Sequence, residues 1–395
     1  MNQEYNRLKY ELHEELENIL NYWCKNTIDE QYGGFHGRIN HQNKLVEKAS
    51  KGIILNTRIL WSFSAAANYQ ANDQYVALAD RAFHYLKDHF LDSEFGGLYW
   101  ELNYLGKPTN KRKQVYAQAF GIYALSEYFR LTQLPEAKEL ALTLFHLIEK
   151  NARDREKGGY LEAFDEDWSA MEDMRLSHKD MNVAKTMNTH LHVLEAYTTL
   201  YQVSQDAEVG SALQELITLF LKRFYDPKHQ HYHLFFDENW QLKSSTISYG
   251  HDIETAWLVM EAAHALNDMA LSQKAEHVAM EICDTFLKEA LDDDDAVINE
   301  KNYESGELDT DRHWWPQMEA VVGLAFAYKM SWKQHYASQS VKIWEFTKKH
   351  LIDHQHGEWH FRVDQLGAVY TEEDKVSMWK APYHTTRACI MVNSI

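Results

Sequence analysis

The chain has 395 residues, 45% of them apolar, with 40 Lys and Arg against 59 Asp and Glu, a formal net charge of −19. That balance excludes a nucleic-acid partner, which needs a basic footprint; the one basic cluster, Lys111-Arg112-Lys113, is too short to supply it. No apolar run reaches the roughly 18 residues of a membrane span, the charged N-terminus lacks the apolar core of a signal peptide, and the odd, scattered set Cys24, Cys283 and Cys389 reads as free thiols in a reducing, cytoplasmic compartment.

In chain order, the first element is an amphipathic stretch, EYNRLKYELHEELENILNYW. At Asp29 begins DEQYGGFHGRINHQNK, turn residues followed by alternating apolar and polar positions, which predicts a short hairpin. KGIILNTRILWSFSAAANYQ follows, apolar on nearly all sides and therefore expected to be a fully buried helix. Next comes YVALADRAFHYLKDHFLD, whose Ala77, Leu78, Ala82, Phe83, Leu86 and Phe90 recur at helical spacing with charges between, predicting an outer helix. The same unit restarts at Asp92 (DSEFGGLYWELNYLGK), Asp154 (DREKGGYLEAFDEDWS), Asp226 (DPKHQHYHLFFDENWQ), Asp292 (a degraded copy, DDDDAVINEKNYESGE) and Asp353 (DHQHGEWHFRVDQLGA). The steps between these Asp residues are 63, 62, 72, 66 and 61.

A period of this length filling the chain is an internal-repeat signature. An open solenoid needs polar end repeats, yet the last inner helix, expected from about Ala381 to Ile395, is as apolar as the others. The N-terminal stretch then supplies its outer partner. The expectation is an all-α fold, an (α/α)6 barrel with short β-hairpins at the mouth, as one domain over residues 1–395. The Asp292–Asp295 run lacks the spacing of a calcium loop and reads as a solvated turn.

In such a ring the N-terminal turns of the inner helices meet at one mouth. They present Asn56 and Arg58; Tyr116 and Gln118; Asn188, His190 and His192; His251, Asp252 and Glu254; Trp314, Trp315, Gln317 and Glu319; then Tyr383, His384 and Arg387. A buried polar group without a partner costs about 1–3 kcal/mol, so a polar set at one level of otherwise apolar helices marks a site that uses it. Arg58 is expected to anchor substrate oxygens rather than form a structural ion pair, and His190 to be a satisfied core histidine. His251 and Glu254 share a helix face, so the carboxylate is expected to orient that ring and raise its pKa. One of Trp314 and Trp315 is expected to reach the cavity. Three histidines, His192, His251 and His384, face one pocket. They suit either a metal or acid–base work near neutral pH, and two bases flanking one carbon are what removal and return of a proton beside a carbonyl requires.

At these residues the chain resembles the N-acylglucosamine 2-epimerase superfamily and, within it, the cellobiose 2-epimerase family. NTRILW, KTMNTHLHVLEAYTTLY, SYGHDIETAWL, the WW-x-Q-x-E-A-V-V-G stretch and the final K-x-P-Y-H match in order over essentially the whole chain. The resemblance implies an (α/α)6 barrel without metal or organic cofactor that interconverts glucose and mannose configuration at C2 of a reducing-end sugar. It implies His251 and His384 as the acid–base pair, His192 assisting and Glu254 supporting the histidines. Arg58, Tyr116, Asn188, Trp314 and Trp379 would hold the sugar, with Glu319 grouped among them and Asp180 at the rim. The chain departs from the family's K-C-P-Y-H-N at Ala381 and Thr385, and has Pro316 and Met318 after the Trp pair.

The expected partner is therefore a small sugar, with no nucleic acid and no membrane, and the chain is expected as a monomer or weak homodimer. Other readings stand beside this one. They are a mannose 2-epimerase or mannose isomerase acting on the monosaccharide, a glycoside hydrolase using a carboxylate pair such as Glu254 and Glu319, and a non-catalytic sugar-binding protein.

Overall fold

The computed structural model describes residues 3–395, and twelve α-helices lie among them. The even-numbered ones are the apolar stretches: α2 (Ile53–Tyr69), α4 (Val115–Thr132), α6 (Met187–Ser204), α8 (Tyr249–Ala265), α10 (Trp314–Ser331) and α12 (Tyr383–Ser394). Each packs on the next, and α12 returns to α2, so the ring closes. The odd-numbered helices form the outer layer: α1 (Gln3–Asn26), α3 (Asp73–Tyr85), α5 (Pro135–Asn151), α7 (Ala207–Leu219), α9 (Met269–Glu289) and α11 (Gln334–His350). α1 packs on α12, the closure expected of the N-terminal stretch. The fold is the (α/α)6 barrel. The last inner helix starts two residues later than expected, at Tyr383, because Pro382 stands immediately before it.

Burial follows the sequence pattern. On α2 every residue from Ile53 to Ala67 is buried, whereas α3 buries one face, with Tyr75, Leu78, Ala79, Ala82 and Phe83 inward. Three outer helices, α3, α7 and α9, start at side-chain caps: Asn72 accepts from the Gln74 and Tyr75 amides, Asp206 from Glu208 and Val209, and Asp268 from Ala270 and Leu271. α3 and α7 each run on into one π turn, Leu86–Phe90 and Phe220–Phe224, before the next hairpin.

The repeat-heading aspartates are buried or half-buried latches. Asp29 accepts from the Gln31 and Tyr32 amides with one oxygen, closing its turn, and pairs with Lys51 at 2.7 Å with the other. The pairing recurs as Asp92–Lys113 (2.5 Å), Asp154–Lys185 (2.7 Å), Asp292–Arg312 (2.6 Å) and Asp353–Lys375. In the first four of these pairs the cation sits two residues before an inner helix, so the latch fixes where that helix begins. In the sixth repeat the cation, Lys375, stands further from its helix, α12, and in the fourth repeat no such Lys or Arg pair forms among the described residues. Ile247 occupies the cationic position, and Asp226 pairs with His229 at 2.6 Å. The acidic run is part of this scheme too: Asp294 also reaches Arg312, and Asp295 takes Lys342.

A second contact ties each hairpin to its helix. Gln118 Oε1 accepts the Leu98 amide and its Nε2 donates back to the Leu98 carbonyl; Gln317 does the same with Val297. His190 Nε2 accepts the Tyr160 amide, and Asp252 accepts that of Tyr232. These four residues occupy the same position, three beyond the first residue of their helices. In two of the hairpins a glycine makes room for them, Gly97 for Gln118 and Gly159 for His190. Gly159 has φ +77°, and a Cβ there would come 2.7 Å from His190 Nε2.

Candidate active site

Helical spacing separates two sets of polar residues at the mouth. Asn56, Gln118, Asp252 and Gln317 do not converge on the axis as the sequence suggested, and His190 stays off it as expected. Gln118, His190, Asp252 and Gln317 bond to hairpin main chain, and Asn56 donates to the Gly52 carbonyl. His190 is the core histidine expected: Nδ1 donates to the Thr186 carbonyl at 2.6 Å, and burial pushes the ring down to about 4. The axis is reached instead from a face that includes Tyr116 and Phe120 on α4, Asn188, His192 and Glu195 on α6, Glu254 and Trp257 on α8, Trp315 and Glu319 on α10, and His384 on α12. Residues three and four apart on one helix share a face.

The histidines are held in one way. His192 Nδ1 lies 2.9 Å from Glu195 Oε2, His251 Nδ1 lies 2.9 Å from Ser248 Oγ, and His384 Nδ1 lies 2.7 Å from Glu319 Oε1. Among the described residues, none of the three Nε2 atoms has a protein partner or is sealed from open space. At His192 and His384, Nδ1–H donated to a fixed carboxylate leaves Nε2 as the free, basic nitrogen, whereas the Ser248 hydroxyl can accept from or donate to His251. Burial, with His192 nearby, pushes His251 down to about 3. Burial with Arg58 and Arg387 nearby holds His384 well below the ordinary histidine range. Both rings are therefore neutral at physiological pH.

Their surroundings are aromatic. The Trp315 ring lies 4.8 Å from that of His251 and 5.5 Å from that of His384, and Tyr116 and Phe120 lie 4.9 Å and 4.8 Å from His192. Arg58 has no carboxylate partner among the described residues. Its Nη1 donates to the Trp379 carbonyl and its Nη2 to the Tyr116 hydroxyl, both at 3.0 Å, and the guanidinium lies over the rings of Phe120 and Tyr383. Asn188 Oδ1, Arg58 Nε and Trp314 Nε1 are buried without partners. Trp379 stands 6.0 Å from Trp100 and 6.1 Å from Tyr116. Trp314 packs on Phe361 at 4.6 Å and reaches His384 only at 6.2 Å, so Trp315 is the member of the pair set against both histidines. Asp180 lies on the loop before α6, where it accepts the Ser177 amide and its charge helps push up the Glu162 and Glu300 carboxyls.

Two expectations about Glu254 are corrected. It does not orient His251: Ser248 does, and burial pushes the ring down, not up. Glu254 instead accepts from Arg387. Glu319, expected among the residues that hold the sugar, has both oxygens engaged by protein groups. Its Oε1 accepts from His384 and Arg387 and its Oε2 from Trp257 Nε1, so it stands behind His384 as the holder of that ring.

Beneath the histidines lies a charge cluster centred on Arg387, which is 1% exposed. Its Nη2 donates to both Glu254 and Glu319, and its Nη1 to Glu195 and the Tyr383 hydroxyl. Burial and the neighbouring Glu319 push the Glu254 carboxyl up to about 7. Glu254, Glu319 and His384 offer ligand atoms within 4.8 Å of one another, a spacing that would suit a metal ion. The arginine nitrogen shared by the two carboxylates already supplies positive charge there.

The N-acylglucosamine 2-epimerase (GlcNAc 2-epimerase) family matches residues 33–388. A cellobiose 2-epimerase from Bacteroides fragilis is 46% identical over 384 residues, 97% of this chain and 98% of that one. The solved structure of a cellobiose 2-epimerase from Bacillus thermoamylovorans, 35% identical, superposes with a TM-score of 0.93 and covers 99% of this chain and 100% of that one. A D-mannose isomerase structure, 22% identical with a TM-score of 0.84 over 97% of each chain, shares the fold. With the barrel, the histidine-lined mouth and a match over nearly the whole chain in agreement, the protein belongs to the N-acylglucosamine 2-epimerase family.

Proposed function

We propose that this protein is a sugar 2-epimerase acting on cellobiose-type β-1,4-linked disaccharides, converting cellobiose to 4-O-β-D-glucosyl-D-mannose. The observation that carries the reading is the set of three neutral or carboxylate-held imidazoles with free Nε2 atoms around one cavity, beside an arginine that has no acidic partner. The named activity of the Bacteroides fragilis relative supports the substrate class.

The reducing-end ring opens to its aldehyde, which acidifies the C2 proton. One of His251 and His384 removes that proton through Nε2, and electron density moves onto the carbonyl oxygen to give an enediolate. Arg58, anchored by Trp379 and Tyr116, stabilises that charge; fixed donors aimed at developing charge act strongly in a dry site. The negative charge raises the proton affinity of the adjacent imidazoles; the other histidine, neutral at rest, takes a proton from solvent at Nε2 and delivers it to the opposite face of C2, the carbonyl re-forms, and the first histidine releases its proton to solvent. His192 assists from α6. Trp315, Trp314, Trp379 and Trp100 offer indole faces to the C–H faces of the two sugar rings, and Asn188 Oδ1 accepts a sugar hydroxyl. No step requires a metal or an organic cofactor. The finer readings that accompany this one are a single catalytic domain over residues 1–395, a cytoplasmic location and a monomer or weak homodimer. The one apolar core that runs through all twelve helices supports the first. No helix of the described residues is long and apolar enough to cross a membrane.

Incubation with cellobiose, lactose and mannose, followed by chromatographic resolution of the products, tests the reading. A new disaccharide from cellobiose is the expected result. Free glucose would make the protein a hydrolase, fructose from mannose an isomerase, and no change a binding protein.

A further inference from the structure

The barrel has a second cavity. It has a volume of about 460 Å³ and is lined among others by Trp61, Tyr123, Glu127, Glu195, Trp257 and Arg387. Asn68, Gln202 and Ser394, near the C-terminal ends of their inner helices, also line it, so it opens at the end of the barrel away from the histidine-lined mouth. Glu195 and Arg387 thus belong to both compartments and form the partition between them.

Glu195 is 3% exposed, and both of its oxygens are engaged. Oε2 meets His192 Nδ1 at 2.9 Å; Oε1 accepts from the Tyr383 hydroxyl at 2.5 Å and from Arg387. Burial alone would neutralise this carboxyl, but Arg387, His192 and Tyr383 outweigh it and hold the group at about 2. A permanently charged acceptor, fixed from two sides, faces one nitrogen of a site histidine. We propose that Glu195 is a positioning residue of the epimerase site: it keeps Nδ1 of His192 protonated and the ring fixed, so that Nε2 faces the sugar. Arg387 and Tyr383 hold the carboxylate, and the rear cavity lies directly behind it. The inference rests on the sugar 2-epimerase reading of the front cavity.

Glu195→Ala opens the partition to the rear cavity, so a small carboxylate reaches the vacated position without passing the sugar. The expected loss in kcat is roughly 10²-fold or more, as for removal of a carboxylate that fixes a catalytic imidazole, with KM much less affected. Added formate should restore part of kcat, and the rescue should not compete with cellobiose. Glu195→Gln keeps the volume, so it should retain more activity than the Ala variant and gain nothing from formate.

Nitrogen-15 NMR of histidine-labelled enzyme reads the ring without any turnover. The His192 signals, assigned by their absence in His192→Gln, should show Nδ1–H in the wild type and lose that signature in Glu195→Ala. If the protein proved inert on sugars, this spectrum would still decide the role of Glu195. Should the Ala variant not fold, the His192 spectrum of the wild type and the kcat of the Gln variant carry the test. An unprotonated Nδ1 in the wild type, a variant kcat equal to wild type, or formate acting equally on the Gln variant would overturn the proposal.

Discussion

Replacing Arg387 with Met probes the charge cluster on which the histidines rest. The guanidinium is the shared donor to Glu195, Glu254 and Glu319, all of them buried. Met fills much of the same volume and removes only the charge and its donors. Removing one partner of a buried pair costs about 3–5 kcal/mol, because the other charge is left uncompensated. That is a large share of the roughly 5–15 kcal/mol that holds a domain folded. An unfolding entropy of about 2.1 cal/mol/K per residue over this length gives about 0.8 kcal/mol/K, so Tm should drop by about 4–6 °C.

The sign of the pH dependence is fixed as well. Glu254 and Glu319 already have carboxyls raised by burial, and loss of Arg387 raises them further. A carboxyl raised above its unfolded value contributes stability at low pH that is lost as pH rises. The Arg387→Met deficit should therefore grow from pH 5 to pH 8, and adding Glu319→Gln should recover part of it. Calorimetry across that range checks both statements. A Tm equal to wild type at pH 8, or a deficit that shrinks as pH rises, would refute the description of Arg387 as the counter-ion of this cluster.

The other predictions concern chemistry and local stability. His251→Ala and His384→Ala should each lose about 10²- to 10⁴-fold in turnover, the usual contribution of a general acid–base group, while near-UV circular dichroism stays that of the wild type. Dialysis against a strong chelator should leave the rate unchanged; loss restored by one divalent ion would recast Glu254, Glu319 and His384 as ligands. Glu162, which accepts from the Thr186 amide and the Thr189 hydroxyl, is pushed up to about 8 by burial. Its contribution is full below its ordinary value of 4.5 and lost as pH rises towards 8. The stability of wild type relative to Glu162→Gln should thus fall by about 1.4 kcal/mol per pH unit across that window, measured by urea titration at a series of pH values.

The repeat made the architecture legible, since turn, hairpin, buried helix and amphipathic helix recur in order and one element stands ready at each end to close the ring. What the sequence did not reveal was rotation. A helix apolar on all sides carries no stripe to say which flank faces the axis, so Gln118 and Gln317 looked like companions of Tyr116 and Glu319. The latches offered a clue: Lys51, Lys113, Lys185 and Arg312 each precede an inner helix by two residues and set its phase. His251 and Glu254 do share spacing, but an acceptor at Ser248, outside the helix, takes the histidine, and Arg387 takes the acid. Glu195 was missed for a different reason. It sits two turns into α6, deeper than the first turns where a mouth is sought, and nothing local distinguishes it from a core acid. Trp315 illustrates how an adjacent aromatic pair leaves the choice open until the ring positions are seen.

The central claim is that a proton leaves C2 to an imidazole and another returns to the opposite face. Turnover of cellobiose in heavy water, with the purified epimer analysed by NMR, tests it most directly. The account predicts deuterium at C2 of the product and nowhere else on the reducing-end sugar's carbon skeleton, with formation of the deuterated epimer slowed about 10²- to 10⁴-fold in the His251→Ala and His384→Ala variants. Epimer formed at the wild-type rate with its original hydrogen at C2, whatever the solvent, would contradict it.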